Sequence, residues 1–575
     1  MSSKKKSAFK ELKTPFESSG ALDWTEYPRP QMKRQSYMSL CGEWELCLVG
    51  KEGVSRLGSI VVPFPPESRI SGIKRPLAPN EKYLYKKSFV LNESFNVGRI
   101  LLHFGAVDQI ARVWINGKAA GKHTGGYLPF SLEIGRYVTA GENQIVVEVT
   151  DTLDHDLAYG KQRYKRGGMW YTPISGIWQA VWLESVPESY IHSLAMTPTL
   201  NSITIETKGG SNDKSIIIHT DEGELRCSWR GDSVTITLST PHLWTPDDPY
   251  LYTFILTAGE DVIDSYFALR TISILPVKSQ AYICLNNEPY FFNGLLDQGY
   301  FSDGIYLPAT PEGYIWDIRT AKRLGFNMLR KHIKIEPELF YYYCDKYGMI
   351  VFQDMVNSGN YNFLIDTALP TMGIRQGIKH MVSKRRREHF ERDCRETVEF
   401  LYNHPCVCYY TIFNEGWGQY DADRIYRELK AYDPTRIWDA ASGWFAERDS
   451  DVKSEHIYFR KIALKSDPER PLVLSEYGGY SYKVADHSYN LEKNYGYKSF
   501  RSAETLADGL SALFREELIP AIKQGLCAAV LTQLSDVEDE TNGLVTYDRM
   551  VVKVPEKTMM KLGRELQEAF NNKVE

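Results

Sequence analysis

The sequence predicts a multidomain chain: an N-terminal β jelly-roll sandwich, an immunoglobulin-like β-sandwich and a C-terminal (β/α)8 TIM barrel. Three observations carry this expectation. Short alternating apolar and polar runs closed by turn residues fill the chain from about Leu40 to Leu275. From about Pro276 each short apolar run is instead followed by a charged segment of helical period, and eight such runs occur. The length of 575 residues, with 43% hydrophobic and 25% charged residues, leaves room for several cores and excludes a small stapled scaffold, a disordered chain or a coiled coil.

The elements follow in order. RILLHF from Arg99, ARVWING from Ala111 and QIVVEV from Gln144 read as half-buried strands, and Asn116-Gly117 between two such runs predicts a type I′ hairpin, whose central residues need positive φ. These place the jelly roll in residues 1–186. SITIET from Ser202, SVTITL from Ser233 and LYTFIL from Leu251 place an immunoglobulin-sized sandwich in 187–276, without the cysteine pair of antibody domains. The barrel, 277–575, takes its eight strands from YFFNG at Tyr290, NMLRKH at Asn327, MIVFQD at Met349, VCYYTIFNE at Val407, RIWDA at Arg436, HIY at His456, LVLSE at Leu472 and AAVLTQLSD at Ala528. Between the first two lies a helix that Thr310-Pro311 opens and Gly325 closes.

Functional groups of such a barrel project from the C-terminal strand ends, and two of these are glutamates followed at once by glycines, Glu415 and Glu476. A carboxylate straight after a buried strand is costly unless it is used or paired. The structural alternative is a pair of carboxylates held by barrel arginines; two such glutamates in one barrel favour paired-carboxylate chemistry, as in glycoside hydrolysis. Asn414, Arg330, His332, Asp354, Asp297, His456, Tyr458 and Asp536 form a polar ring suited to sugar hydroxyls. Trp417, Trp444, Tyr477, Tyr480, Tyr482 and Tyr306 offer aromatic faces on the neighbouring loops, with ordinary packing as the alternative for each.

Other classes are excluded. A net charge of -5 gives no footprint for nucleic acid or an anionic membrane. The N-terminus, MSSKKKSAFKELK, lacks an apolar run and no window reaches 18 uncharged apolar residues, so neither a secretory signal nor a membrane span is expected. Nine scattered cysteines without a CxxC pair read as reduced thiols of a cytoplasmic protein, Cys406 and Cys408 as core, and His404 as structural. GKAAGKH at Gly117 fails the phosphate-loop spacing, KRRREHFERD at Lys384 reads as a solvated helix face, and no GxSxG elbow occurs. No cofactor or metal is expected, and homo-oligomerisation is left open.

Phe413-Asn414-Glu415-Gly416 and Ser475-Glu476-Tyr477-Gly478 resemble the two signatures of glycoside hydrolase family 2, which includes β-galactosidases, β-glucuronidases and β-mannosidases. NGKAAGKHTGGYLPF at Asn116 and SGIWQAVWLE at Ser175 resemble its sugar-binding jelly roll. LWTPDDPYLYTF at Leu243 resembles its middle domain, and FFNGLLDQGY at Phe291, LGFNMLRKH at Leu324 and NGLVTYDR at Asn542 resemble barrel segments in the family's order. The resemblance implies a retaining exo-β-glycosidase acting on a small glycoside or oligosaccharide, with Glu476 as nucleophile, Glu415 as general acid/base and Asn414 on the sugar 2-hydroxyl. Trp417 would help Glu415 keep its proton, and Arg330 or a tyrosine hydroxyl would keep Glu476 ionised. Where β-glucuronidases carry an Asn-x-Lys clamp this chain reads Glu540-Thr541-Asn542, and Gln533 stands near the position of a tryptophan platform. Neutral sugars, galactose first, are therefore expected by elimination. The alternatives are glucuronide specificity, with Lys483 or Lys498 as substitute cation, mannoside or pentoside specificity, or a non-catalytic carbohydrate-binding protein.

Overall fold

In the computed structural model, which describes residues 9–19, 23–95, 98–371, 382–445 and 448–575, Asn116 and Gly117 take φ of 50° and 78° and join strands Ile110–Ile115 and Lys118–Thr124. This is the expected hairpin. It closes one edge of a six-stranded sheet, which packs on a four-stranded sheet made by Tyr37–Ser39, Val181–Val186, Arg99–Phe104 and Phe130–Glu133. Alternation along the strands explains the packing: Ile145, Val147 and Val149 are buried while Gln144 and Glu142 are not. A second sandwich follows, with three strands facing four, around a core of Ile203, Ile205, Ile216, Ile218, Phe254 and Leu256.

All eight expected barrel strands form: β1 (Phe292–Asp297), β2 (Met328–Lys331), β3 (Ile350–Asp354), β4 (Val407–Asn414), β5 (Ile437–Ser442), β6 (Lys453–Ile457), β7 (Leu472–Gly478) and β8 (Leu526–Thr532). Their parallel ladder runs β5-β4-β3-β2-β1-β8-β7-β6. Every residue of β1 to β5 is buried, as a sheet covered on both faces requires. The expected helix spans Glu312–Arg323, with Gly325 at φ 84° just past its end.

The alternation of strand and helix breaks where the sequence reading assumed it continued. No helix occurs among the described residues of 443–452 or of 458–471. The first connection is shorter than the dozen or so residues a helical crossover needs, and the second contains Pro468 and Pro471. The strands Ile272–Val277 and Gln280–Leu285 pair as a hairpin under the opposite, N-terminal end of the barrel, where Ala281 N donates to Pro468 O at 3.2 Å.

A loop of the jelly roll lies over the C-terminal rim. Tyr159 N donates to Asn357 O, after β3, at 3.1 Å, and the Tyr171 hydroxyl donates to the Glu540 carboxylate, after β8. Arg166 pairs with Glu538 at 3.1 Å. The basic run at Lys384 forms the helix Lys384–Leu401, and part of its charge joins domains instead of facing water: Arg385 pairs with Asp154 at 2.6 Å and Arg392 Nη2 donates to Thr124 O at 3.1 Å. His404 is buried against Asp345, 2.7 Å away, just before β4. All nine cysteines are free thiols. No helix among the described residues is long and apolar enough to cross a membrane.

Candidate active site

Two neighbouring strands build the centre. His456 on β6 and Glu476 on β7 are register partners, so their side chains leave the sheet side by side. Glu415 lies just past β4 at φ 54°, a strained conformation for a residue with a Cβ. Its N–H donates to Ser442 O at 3.0 Å, and Gly416 turns the chain away at φ 70°, where a Cβ would meet the Phe445 ring at 2.1 Å. His456 Nδ1 sits 3.0 Å from Glu415 Oε1 and 3.6 Å from Glu476 Oε2. One donor atom from each of the three lies within 4.8 Å of the others, a spacing that serves a shared proton and would also serve a small cation. A sequence scan for metal spacings does not see a grouping that spans three strands.

Arg330, from β2, organises the floor. It reaches Asp354 at 2.9 Å, Glu476 Oε1 at 3.0 Å, Asn414 Oδ1 at 2.9 Å and Ser442 Oγ at 3.0 Å, and it is almost wholly buried. Asp354 also holds His332 Nδ1 at 2.7 Å. The Tyr458 hydroxyl donates to Glu476 Oε2. Burial alone would push the Glu476 carboxyl up, but His456, Arg330 and His332 together with the Tyr458 hydrogen bond outweigh it and hold it well below the usual carboxylate range. Burial and then the positive charge of Lys161 depress the His332 imidazole.

The other expected residues divide. Tyr458 stacks on Tyr497, ring centroids 4.0 Å apart, beside the carboxylates, and Trp444 meets the His456 ring edge-on at 5.7 Å. The Trp417 indole donates to Gly359 O and packs on Trp170 and Tyr159. Tyr477 follows Glu476 on the strand and so faces the other side, towards Phe514. Asp297 is engaged by Lys331 at 2.6 Å and Asp536 by Lys553 at 2.6 Å, each in a separate buried ion pair. Tyr306 is buried among Tyr127, Tyr300 and Trp178. Lys498 lies over the Tyr480 ring and Lys483 donates to Lys493 O.

Sequence reasoning missed several neighbours. Ser442 ends β5 two residues beyond the quoted run and was reachable by the strand-end rule. Tyr497 and the jelly-roll Lys161 lie on loops with no periodic signal. Lys161 O accepts from Tyr171 N at 3.0 Å, and burial pushes the Glu540 carboxyl up although the Lys161 charge opposes it. Gln533, in the missing tryptophan's neighbourhood, donates to Asn542 Oδ1 at 2.7 Å and to Glu540 at 3.3 Å.

Three family models match in succession: "Glycosyl hydrolases family 2, sugar binding domain" over residues 63–187, "Glycosyl hydrolases family 2" over 191–270 and "Glycosyl hydrolases family 2, TIM barrel domain" over 279–489. The chain belongs to glycosyl hydrolases family 2. Among similar proteins, this family 2 chain is 25% identical over 370 residues to a β-galactosidase of Thermoanaerobacter pseudethanolicus, covering 60% of the chain and 46% of that protein. It is 23% identical over 434 residues to a β-galactosidase of Halalkalibacterium halodurans, covering 68% and 40%. The match thus spans less than half the length of these relatives. Among solved structures, the β-D-glucuronidase of Dictyoglomus thermophilum shares the fold with a TM-score of 0.73 at 19% identity, covering 94% of this chain and 98% of that one. A family 2 β-galacturonidase from Eisenbergiella tayi, bound to galacturonate, aligns with a TM-score of 0.67 at 19% identity, covering 94% and 99%.

Proposed function

We propose that the chain is a retaining exo-β-glycosidase that hydrolyses the terminal sugar of a small glycoside or oligosaccharide, with Glu476 as nucleophile and Glu415 as general acid/base. The observation that carries this reading is the approach of the two carboxylates, whose nearer oxygens lie within 4.8 Å. Double displacement wants carboxyl groups about 5–5.5 Å apart, whereas inversion needs about 6.5–9.5 Å to seat a water. Their surroundings suit different duties. Glu476 is held ionised by Arg330 and Tyr458, while Glu415 is the more open of the two, its side chain 13% exposed against 6%. Glu476 would attack the anomeric carbon as Glu415 protonates the leaving oxygen; Glu415 would then deprotonate the water that releases the sugar. Asn414, its Oδ1 occupied by Arg330 and Ser442, offers its amide N–H to the 2-hydroxyl.

For the sugar, a neutral ring, galactose first, is favoured by Glu540-Thr541-Asn542, which has no lysine where β-glucuronidases carry their Asn-x-Lys clamp, and by the β-galactosidase names of several relatives. One observation favours a second reading, a uronic acid: the Lys161 cation beside His332 and Glu540. The β-glucuronidase and β-galacturonidase among the structural neighbours agree with that second reading. Hydrolysis of matched aryl β-galactoside, β-glucuronide, β-mannoside and β-xyloside, with the first-formed anomer read by NMR, tests both statements. Fastest turnover of the galactoside with a β-configured product is expected. A first-formed α product overturns retention, and a faster uronide overturns the neutral sugar.

A further inference from the structure

His456 was expected to touch substrate, but its side chain has no solvent exposure. It stands behind the two carboxylates. Nδ1 lies 3.0 Å from Glu415 Oε1, within hydrogen-bond reach, and 3.6 Å from Glu476 Oε2, just beyond it, so an imidazole with its proton on Nδ1 can donate to either carboxylate when that group is ionised. Nε2 is buried and has no hydrogen-bond partner among the described residues, so Nδ1 is the nitrogen through which the ring can act on the carboxylates. Glu476 has further donors in Arg330 and Tyr458, but among the described residues His456 is the side chain that hydrogen-bonds Glu415.

We propose that His456 is a positioning residue that gives its single N–H to whichever of Glu476 and Glu415 is ionised, following the negative charge as it passes from one carboxylate to the other. The proposal rests on the double-displacement reading above. In the free enzyme the charge is on Glu476, so the ring turns from the 3.0 Å Glu415 contact towards Glu476, 3.6 Å away. When the bond from Glu476 to the anomeric carbon forms and the glycosidic C–O bond breaks, the Glu415 proton leaves with the departing oxygen, so Glu476 becomes a neutral ester and Glu415 a carboxylate. Water then adds to the anomeric carbon, its proton returns to Glu415 and the ester bond breaks. His456 neither gains nor loses a proton in the cycle. It has only to turn between acceptors whose distances from Nδ1 differ by a few tenths of an ångström, and Gly443 leaves the ring room, because a Cβ there would sit 3.3 Å from the imidazole. Arg330, Tyr458 and His332 engage the Glu476 carboxylate that faces the ring, Asp439 interacts with the ring electrostatically, and Trp444 packs on it edge-on.

The test is the pH profile of His456→Phe, with His456→Asn as the variant that keeps an N–H donor. The acidic limb of kcat/KM reports Glu476 in the free enzyme, and the acidic limb of kcat, on a dinitrophenyl glycoside whose deglycosylation is rate-limiting, reports Glu415 in the glycosyl-enzyme. Removing the donor should disfavour the ionised form in both states. Both acidic limbs should therefore move to higher pH by about one unit in the Phe variant, with kcat down about 10-fold or more, and the Asn variant should move both back. Unchanged limbs, or movement of one limb alone, in a Phe variant with the wild-type melting temperature overturn the proposal. If the Phe variant does not fold, a donor-free His456→Leu variant takes its place: limbs that move in Leu and return in Asn support the proposal, and unmoved limbs in Leu, or an Asn variant whose limbs move as far as those of Leu, overturn it. Failure of the wild-type protein to form a covalent adduct with a 2-deoxy-2-fluoro glycoside, read by mass, marks failure of the double-displacement reading itself.

Discussion

Arg330 Nη1 and Glu476 Oε1 lie 3.0 Å apart on side chains that are 1% and 6% exposed. The same guanidinium also pairs with Asp354. Removing one partner of a buried pair costs more than the pair contributes, because the remaining charge has no water to turn to. Arg330→Met is expected to lower unfolding stability by about 3–5 kcal/mol in urea titrations. The sign with pH follows from the depressed Glu476 and Asp354 carboxyls. Their contribution is present above the ordinary carboxylate range and is lost as pH falls through the lower folded-state values. The deficit of the variant should therefore be full at pH 7 and shrink under strongly acidic conditions; a deficit independent of pH counts against this account.

The two glutamates should fail differently. Glu476→Gln removes the proposed nucleophile and is expected to abolish covalent trapping and turnover on every substrate. Glu415→Gln should lose about 100-fold or more on substrates with poor leaving groups but far less in the first step with dinitrophenyl glycosides, which need no protonation. Equal losses on both substrate types would reverse or dissolve the assignment of roles. Sugar-dependent melting shifts without turnover in the wild-type protein would revive a carbohydrate-binding protein.

Lys161→Met separates the two sugar readings. If the rim receives a neutral ring, kcat/KM for galactoside and uronide should fall together and by less than about 5-fold. If the lysine meets a sugar carboxylate, the uronide alone should lose about 10-fold or more, as one charge-assisted hydrogen bond predicts.

In the jelly roll, burial pushes Asp108 and Asp151 well above the ordinary range, and the Asp151 charge adds to the effect on Asp108. Here the sign is opposite to that of Glu476. The folded chain keeps protons that the unfolded chain has released, so stability falls as pH rises from about 4 towards neutrality. Asp151→Asn preserves the acceptor for Leu153 N, 2.7 Å away, and removes the titration. Its melting temperature should decline less than that of the wild type between pH 5 and 7.5. An identical decline would show that the pair is not linked to folding.

Legibility in the sequence followed locality. The eight barrel strands and the Asn116-Gly117 hairpin were readable because each is encoded by neighbours a few residues apart. Glu415 and Glu476 were visible as carboxylates at strand ends, and Arg330 as a group beside Glu476, whereas which tyrosine hydroxyl joins it, Tyr458, was not. Tyr477 was not distinguishable from a pocket residue, because a fully buried parallel strand shows no alternation to reveal which face a side chain takes. Asp297 and Asp536 were drawn into the ring because their partners, Lys331 and Lys553, belong to other segments. The bridging position of His456 depends on the register of β6 against β7, a long-range fact, and Lys161 arrives from a different domain altogether.

The jelly-roll loop over the barrel rim has a consequence for taking the protein apart. Glu538 and Glu540 are buried, and Arg166, Tyr171 and Thr172 from that loop bind their carboxylates. A barrel expressed alone would expose these acids to water and release the segment after β8 that carries Gln533 and Asn542. Exchanging the N-terminal module with a relative would thus transplant part of the pocket wall along with it, so shuffling at the domain boundary would be expected to alter selectivity even where no catalytic residue changes hands.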